Sequence, residues 1–196
     1  MAGRQLIAAG TVVLDGRVCR PGWVETFAER IVGCDAGAPP RAPDAEFVSG
    51  VVVPGFVDMH VHGGGGFSYT DGVRADIKRA ADFHRRHGTT TTLASLVTAS
   101  PADLLAAVTV LAELTAAGVV AGIHLEGPWL SAARCGAHDA SQLCDPDPAE
   151  IDTLLAAAGG TIRMATIAPE RPGSHEATRQ FADANIVVAV GHTDAT

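Results

Sequence analysis

Two histidines one residue apart, His60 and His62, lie in the stretch GFVDMHVHGGGG from Gly55 to Gly66 and are followed by four glycines. Neutral imidazole is a common ligand for zinc, iron and nickel. The preceding Val51-Val52-Val53 and the alternation Phe56, Val57, Met59, Val61 predict a β-strand with Pro54 at its entrance. Side chains alternate across a strand, so Asp58, His60 and His62 share one face while Val57, Met59 and Val61 share the other. Two imidazoles about 7 Å apart on one face can converge on one metal ion, and glycines let backbone pass close to whatever sits there. The alternative is a chance His-x-His joined to a flexible link. An apolar outer face with Asp/His/His inside favours a barrel strand over that reading.

Two further strand-like segments end in residues of the same kind. VVAGIHLEG finishes with His124 and Glu126, and NIVVAVGHT finishes with His192, followed by Asp194. The C-terminal ends of strands are where active sites sit in open and closed α/β sheets. Glu126 shares a strand face with His124 and is placed to reach an ion held by His60 and His62. A carboxylate has two oxygens and can bridge two metals about 3.5–4 Å apart. The competing reading, a capping acid for the next loop, is disfavoured because a charge rarely ends a buried strand without a partner.

The elements that must position these residues are legible around them. TTTTLASLV (Thr89 to Val97), VVAGIHLEG, TIRMATIAPE and NIVVAVGHT each read as a buried strand rich in β-branched residues. Helix starts lie between them at Ser100-Pro101-Ala102-Asp103 and Asp147-Pro148-Ala149-Glu150, where a capping side chain precedes a first-turn proline and an acid. Leu104, Val108 and Leu111 form one apolar helical stripe; Ile151, Leu154, Leu155 and Ala158 form another, closed by Gly159-Gly160. Repeated β-then-α units imply a parallel sheet, and at this level doubly wound and barrel arrangements both remain open.

The first fifty residues differ. QLIAAGTVVLDGRV and GWVETFAERIVGC are short strand-like pieces broken at Asp15-Gly16 and Pro21-Gly22, and GAPPRAPDAE is a surface connection. The expected organisation is a small N-terminal β segment over residues 1–52 and an α/β body over residues 53–196. A closed (β/α)₈ barrel takes about 250 residues. With roughly five of the eight units present, the expectation is a barrel truncated after about the fifth strand.

Composition excludes several classes. The chain is 47% hydrophobic and 18% charged, which supports a packed core, and a net charge of −8 argues against nucleic-acid binding. No apolar run reaches membrane-spanning length, and MAGRQLIAAG lacks the apolar core of a signal peptide. Cys19, Cys34, Cys135 and Cys144 form no CxxC pair, so neither a zinc knuckle nor a disulfide framework is indicated. The expected location is cytoplasmic.

PGFVDMHVHGGGG resembles the first-strand motif of the amidohydrolase superfamily. HLEGPWLSAARCGAHD, TIAPE and VGHTDAT resemble, more narrowly, its N-acetylglucosamine-6-phosphate deacetylase family. Many superfamily members bridge two metals with a carboxylated lysine at a strand end. Lys78 is the only lysine here and lies in the helical stretch DIKRAADFHRRHG, which leaves Glu126 as the bridging candidate.

The resemblance implies an α/β fold, a partial (β/α)₈ TIM-like metal-dependent hydrolase barrel preceded by a small β-sandwich-type segment. It implies hydrolysis of the acetamide of N-acetylglucosamine 6-phosphate, with one or two divalent metal ions per chain, zinc, iron or similar. Glu126 and His192 are the implied ligands of one ion, and His60 and His62 those of a second. His138 and Ala137 of the GAHD segment are the implied substrate contacts, His138 polarising the carbonyl. A further metal histidine and the general acid/base aspartate are expected downstream, so no catalytic acid/base is assigned here and the chain alone is expected to be inactive. Asp194 lies just beyond a ligand and does not take that role. A small-molecule amino-sugar phosphate is the expected partner, with neither nucleic acid nor membrane, and the full-length protein is expected to be a homodimer. Arg134 is a weak candidate for phosphate. Cys135, between Glu126 and His138, is a candidate regulatory thiol, because a nearby dication would depress its pKa.

Of the remaining candidates, His84 and His87 are expected to be solvated, His175 to lie on a helix surface, Asp58 to support its neighbouring histidines and His124 to orient a ligand. Two other functions compete: an amidohydrolase acting on a cyclic amide or N-acyl amino acid, and a non-catalytic metal-binding scaffold.

Overall fold

Leu6, Ala8, Ala9 and Val12 are buried along β1 (Arg4–Leu14), the strand on which the N-terminal sheet is built. In the computed structural model, which describes residues 3–196, β1 pairs antiparallel with β2 (Arg17–Cys19) and β3 (Gly22–Phe27), and β3 pairs with β4 (Arg30–Ala36). β5 (Ala45–Val52) adds parallel to β1. Asp15 and Gly16 both have positive φ, 47° and 76°, the backbone that a two-residue hairpin between right-twisted strands demands. Ala9, Val12 and Val24 form the apolar cluster of this sheet.

The division between the two compact units falls between Gly55 and Phe56. The strand expected to run from Val51 into the histidines is therefore two strands. Val51 and Val52 belong to β5, and β6 (Phe56–Val61) starts afresh, with the Phe56 N–H donating to the Gly88 carbonyl. Pro54 has no N–H for a ladder, which accounts for the interruption.

After β6 come a two-stranded hairpin, β7 (Gly63–Gly64) and β8 (Phe67–Ser68), and then α1 (Arg74–Arg86), β9 (Thr89–Leu96), α2 (Pro101–Ala116), β10 (Gly122–Glu126), α3 (Pro148–Ala158), β11 (Ile162–Ile167), α4 (Ser174–Asp183) and β12 (Val187–Val190). The second sheet has the order β12-β11-β10-β9-β6 and every pairing in it is parallel. Apart from the small β7–β8 hairpin between β6 and β9, each neighbour is the next strand in sequence, the order of a barrel wall.

The helix starts form as their sequences predict. Ser100 accepts from the Asp103 N–H at 3.2 Å, and Asp147 accepts from the Ala149 N–H at 2.7 Å. Gly159 closes α3 in the left-handed conformation, φ 54°.

Leu111, Leu114, Ile123, Leu125, Ile151 and Phe181 are buried in one cluster between helices and sheet. Burying each such side chain is worth about 1.5–3 kcal/mol. That core holds β10 at the middle of the sheet, where all five of its residues are buried, His124 and Glu126 included. The two outermost strands, β6 and β12, expose Phe56, Val57, Met59, Val187 and Val190. Among the described residues no helix is long and apolar enough to cross a membrane.

Candidate functional site

Strand ends bring the polar residues together around Glu126. Its carboxylate ends β10 and is 5% exposed. Oε2 lies 2.8 Å from His62 Nε2 and 3.0 Å from His60 Nε2, while Oε1 lies 3.1 Å from His192 Nε2. The His60 and His62 Nε2 atoms are 3.2 Å apart. Each oxygen of one carboxylate thus faces its own histidine set. The donor atoms of His60, His62 and Glu126 lie within 4.8 Å of one another, and so do those of Glu126, His138 and His192.

The far side of each ring decides which nitrogen carries the proton. His62 Nδ1 is 3.0 Å from the Ser95 carbonyl and His192 Nδ1 is 2.8 Å from the Arg134 carbonyl. A carbonyl only accepts, so both Nδ1 atoms donate, and the Nε2 lone pairs of the neutral rings point at Glu126. Lone pairs facing carboxylate oxygens at these distances require positive charge between them. A proton on His62 is one source: its hydrogen bond to Glu126 raises its pKa, although burial opposes this. A divalent cation is the other, and a donor set of imidazole nitrogens and carboxylate oxygen, with the His62 and His192 rings each oriented by a backbone carbonyl, fits it.

His138 has the opposite polarity. The Thr98 N–H, which can only donate, points at His138 Nδ1 at 3.2 Å, and the Thr98 hydroxyl lies 2.8 Å from the same atom. The neutral His138 ring therefore carries its proton on Nε2, 3.6 Å from Glu126 Oε2. Burial lowers the His138 pKa and keeps the ring neutral. It is a hydrogen-bond donor into the site, whereas His62 and His192 offer lone pairs.

Glu126 remains ionised in spite of burial, because the His62 and His60 rings beside it favour the charged form and hold its carboxyl well below the usual carboxylate range. His124 is fully buried and packs edge-on against His60, ring centroids 4.7 Å apart. The Val61 N–H donates to Ser95 Oγ at 3.1 Å, and the His124 ring bridges two hydroxyls, Nδ1 lying 2.9 Å from Ser95 Oγ and Nε2 2.8 Å from Thr166 Oγ1. Burial and the neighbouring His60 push the His124 pKa down to about 4, so this bridge across β9, β10 and β11 is neutral.

The other sequence candidates separate. Asp58 accepts from the His60 N–H at 3.1 Å, and His175 is exposed at the start of α4. Ala137 is exposed beside His138. Cys135 is half-buried, its thiol 3.9 Å from the Gly136 carbonyl. Arg134 is paired with Asp194 at 2.7 Å.

His84 differs from its expected solvated state: it is half-buried, and Nε2 donates to the Gly63 carbonyl at 2.9 Å. The glycine run folds back as the β7–β8 hairpin onto α1, so tightly that a Cβ at Gly64 would come within 2.6 Å of His84 Nε2. His87, by contrast, is exposed. Sequence reasoning missed Ser95 and Thr98, which fix the tautomers of His62 and His138, and Thr166, which meets the buried His124 ring. Polar residues at the C-terminal ends of buried strands were the available signal.

A sequence model described as Amidohydrolase family matches residues 51–194. The chain is 29% identical to N-acetylglucosamine-6-phosphate deacetylase of Bacillus subtilis (strain 168) over all of its own length and 52% of that protein. It is 31% identical to N-acetylgalactosamine-6-phosphate deacetylase of Escherichia coli O157:H7, covering 89% of this chain and 48% of the relative. Among solved structures, a mutant N-acetyl-D-glucosamine-6-phosphate deacetylase from Mycobacterium smegmatis, in complex with N-acetyl-D-glucosamine-6-phosphate, matches with 50% identity and a TM-score of 0.96. That match covers 99% of this chain and 51% of the other. The chain spans about half the length of the curated relatives it matches. Its parallel sheet is part of a (β/α)₈ barrel, as expected.

Proposed function

The chain belongs to the amidohydrolase family, and from that premise we propose that it forms the metal-holding part of a site that hydrolyses the acetamide of N-acetylglucosamine 6-phosphate to glucosamine 6-phosphate and acetate. The observation that carries this reading is the division of Glu126 between two histidine sets, Oε2 toward His60 and His62 and Oε1 toward His192. The 50% identity to an amino-sugar-phosphate deacetylase supports the substrate class.

In this reading Glu126 and His192 hold one divalent ion, and His60 and His62, with Glu126, hold a second. Bound there, a divalent cation supplies Lewis acidity toward the acetamide carbonyl and lowers the pKa of water toward about 7. His138 presents its Nε2–H to the carbonyl oxygen, where negative charge develops during attack. A donor aimed at that position strengthens in the transition state. His124 stays neutral and braces the His60 ring. Asp194 is engaged by Arg134, so proton transfer to the departing amine is assigned to none of the residues of this chain. Ala137 is read as a backbone neighbour of the substrate beside His138, and Cys135 as a thiol that metal occupancy shields from alkylation.

Acetate release by the protein that carries this chain tests the proposal. N-acetylglucosamine 6-phosphate is the expected substrate, with unphosphorylated N-acetylglucosamine much poorer. Preference for the galactosamine isomer would move the assignment to the activity named for the Escherichia coli relative. Turnover of a cyclic amide or an N-acyl amino acid instead would overturn it.

A second expectation concerns the histidine pair alone. Replacing His60 and His62 with Asn and Gln is expected to remove one metal ion per chain and leave the His192 ion bound. Unchanged stoichiometry by elemental analysis would make the pair structural.

A further inference from the structure

His192 holds a backbone conformation that a non-glycine residue rarely adopts, φ 50°. Such a residue persists only where its surroundings over-determine it. Part of that surrounding is the loop after β10: the Ser131 N–H donates to the His192 carbonyl at 2.9 Å, and His192 Nδ1–H donates to the Arg134 carbonyl. The rest comes from the loop after β11, in the TIAPE segment, which has no part in the reading above. Glu170 Oε2 accepts from the Thr193 hydroxyl at 2.6 Å, and its Oε1 accepts from the Asp194 N–H at 2.7 Å. Asp194 in turn pairs with Arg134, whose carbonyl orients the His192 ring. A second tie joins the same loops, the Ala168 N–H donating to the Trp129 carbonyl at 2.9 Å.

We propose that Glu170 is a positioning residue that fastens the two residues after His192 and so keeps the His192 Nε2 lone pair directed at Glu126. Both carboxylate oxygens are used, each by a different donor, and hydrogen bonds to a charged acceptor are about twice as strong as neutral ones. Without Glu170 the backbone beyond His192 is free to leave the left-handed region, and the ring turns with it. Glu170 is not among the groups facing Glu126; it acts through Thr193 and Asp194. The consequence for metal affinity rests on the reading of His192 as a ligand.

The test uses the complete polypeptide in which this chain occurs, with ¹⁵N-labelled histidine, in wild-type form and as Glu170→Gln and Glu170→Ala. In metal-free protein the His192 Nδ1–H is expected to be protected from exchange in the wild type and to lose that protection in Glu170→Ala. Glu170→Gln, which keeps one acceptor oxygen, should fall between. The His62 Nδ1–H, bonded to the Ser95 carbonyl, should be unchanged in all three. Equal protection of His192 in all three proteins overturns the proposal, and so does parallel loss at His62, which would mean general loosening. In a zinc titration Glu170→Ala should weaken the ion at His192 by about 10- to 100-fold, the usual effect of removing a partner behind a ligand, and leave the His60–His62 ion untouched. Unchanged zinc affinity in Glu170→Ala also overturns the proposal. A wild-type protein that binds no zinc overturns the metal reading of His192, and the exchange result then decides the role of Glu170 by itself.

Discussion

Glu126→Gln is expected to abolish metal retention and hydrolysis together while leaving the fold intact. The side chain keeps its volume at a position only 5% exposed, so packing does not change. Its chemistry does. One oxygen becomes an NH₂ that only donates, and the negative charge between three imidazoles is gone. Whichever way the amide is turned, either the His60–His62 pair or His192 loses its carboxylate oxygen. Removing a partner behind a ligand costs about 10- to 100-fold in metal affinity, and loss of the shared ligand itself should exceed that. Elemental analysis together with acetate release checks the outcome, and full occupancy with normal turnover would remove Glu126 from the site.

The second large effect is expected at His138, with the opposite metal result. Replacing His138 by Phe should lower kcat by about 10²–10³-fold, the loss typical when one donor to a developing oxyanion is removed. Metal content should stay at the wild-type level, because Thr98 fixes the ring with its proton on Nε2 and the lone pair turned away from Glu126. That combination separates a donor from a ligand. A fall in metal content on this substitution would show that the ring coordinates, and the tautomer argument would fail.

What the sequence made legible was whatever local pattern controls. β-branched runs marked β9 to β12, Ser100 and Asp147 marked the starts of α2 and α3, and strand-end placement singled out His60, His62, Glu126 and His192 together. The apolar pattern of the Val51–Val61 segment carries across Pro54 and suggests one strand, whereas β5 ends before the proline and β6 begins after Gly55. An arginine-rich helix predicts a solvated His84; its partner, the Gly63 carbonyl, lies 21 residues away and comes near only because the glycine hairpin folds back onto α1. The residues that fix proton positions were invisible for the same reason. The Ser95 carbonyl meets His62 across 33 residues and Thr98 meets His138 across 40, separations that no helical or strand period encodes. Glu170 likewise reaches Thr193 across 23 residues. Composition and spacing therefore indicated which residues bear chemistry, and only the packed sheet established which of them accept and which donate.

One buried carboxylate divides its oxygens between two histidine sets, with the His138 lone pair turned away from both. Anomalous diffraction from crystals of the complete protein grown with zinc tests it most directly. The expected result is one peak bounded by Glu126, His60 and His62 and a second bounded by Glu126 and His192, with His138 Nε2 coordinated to neither. A peak on His138 Nε2, or zinc bound away from Glu126, would contradict it.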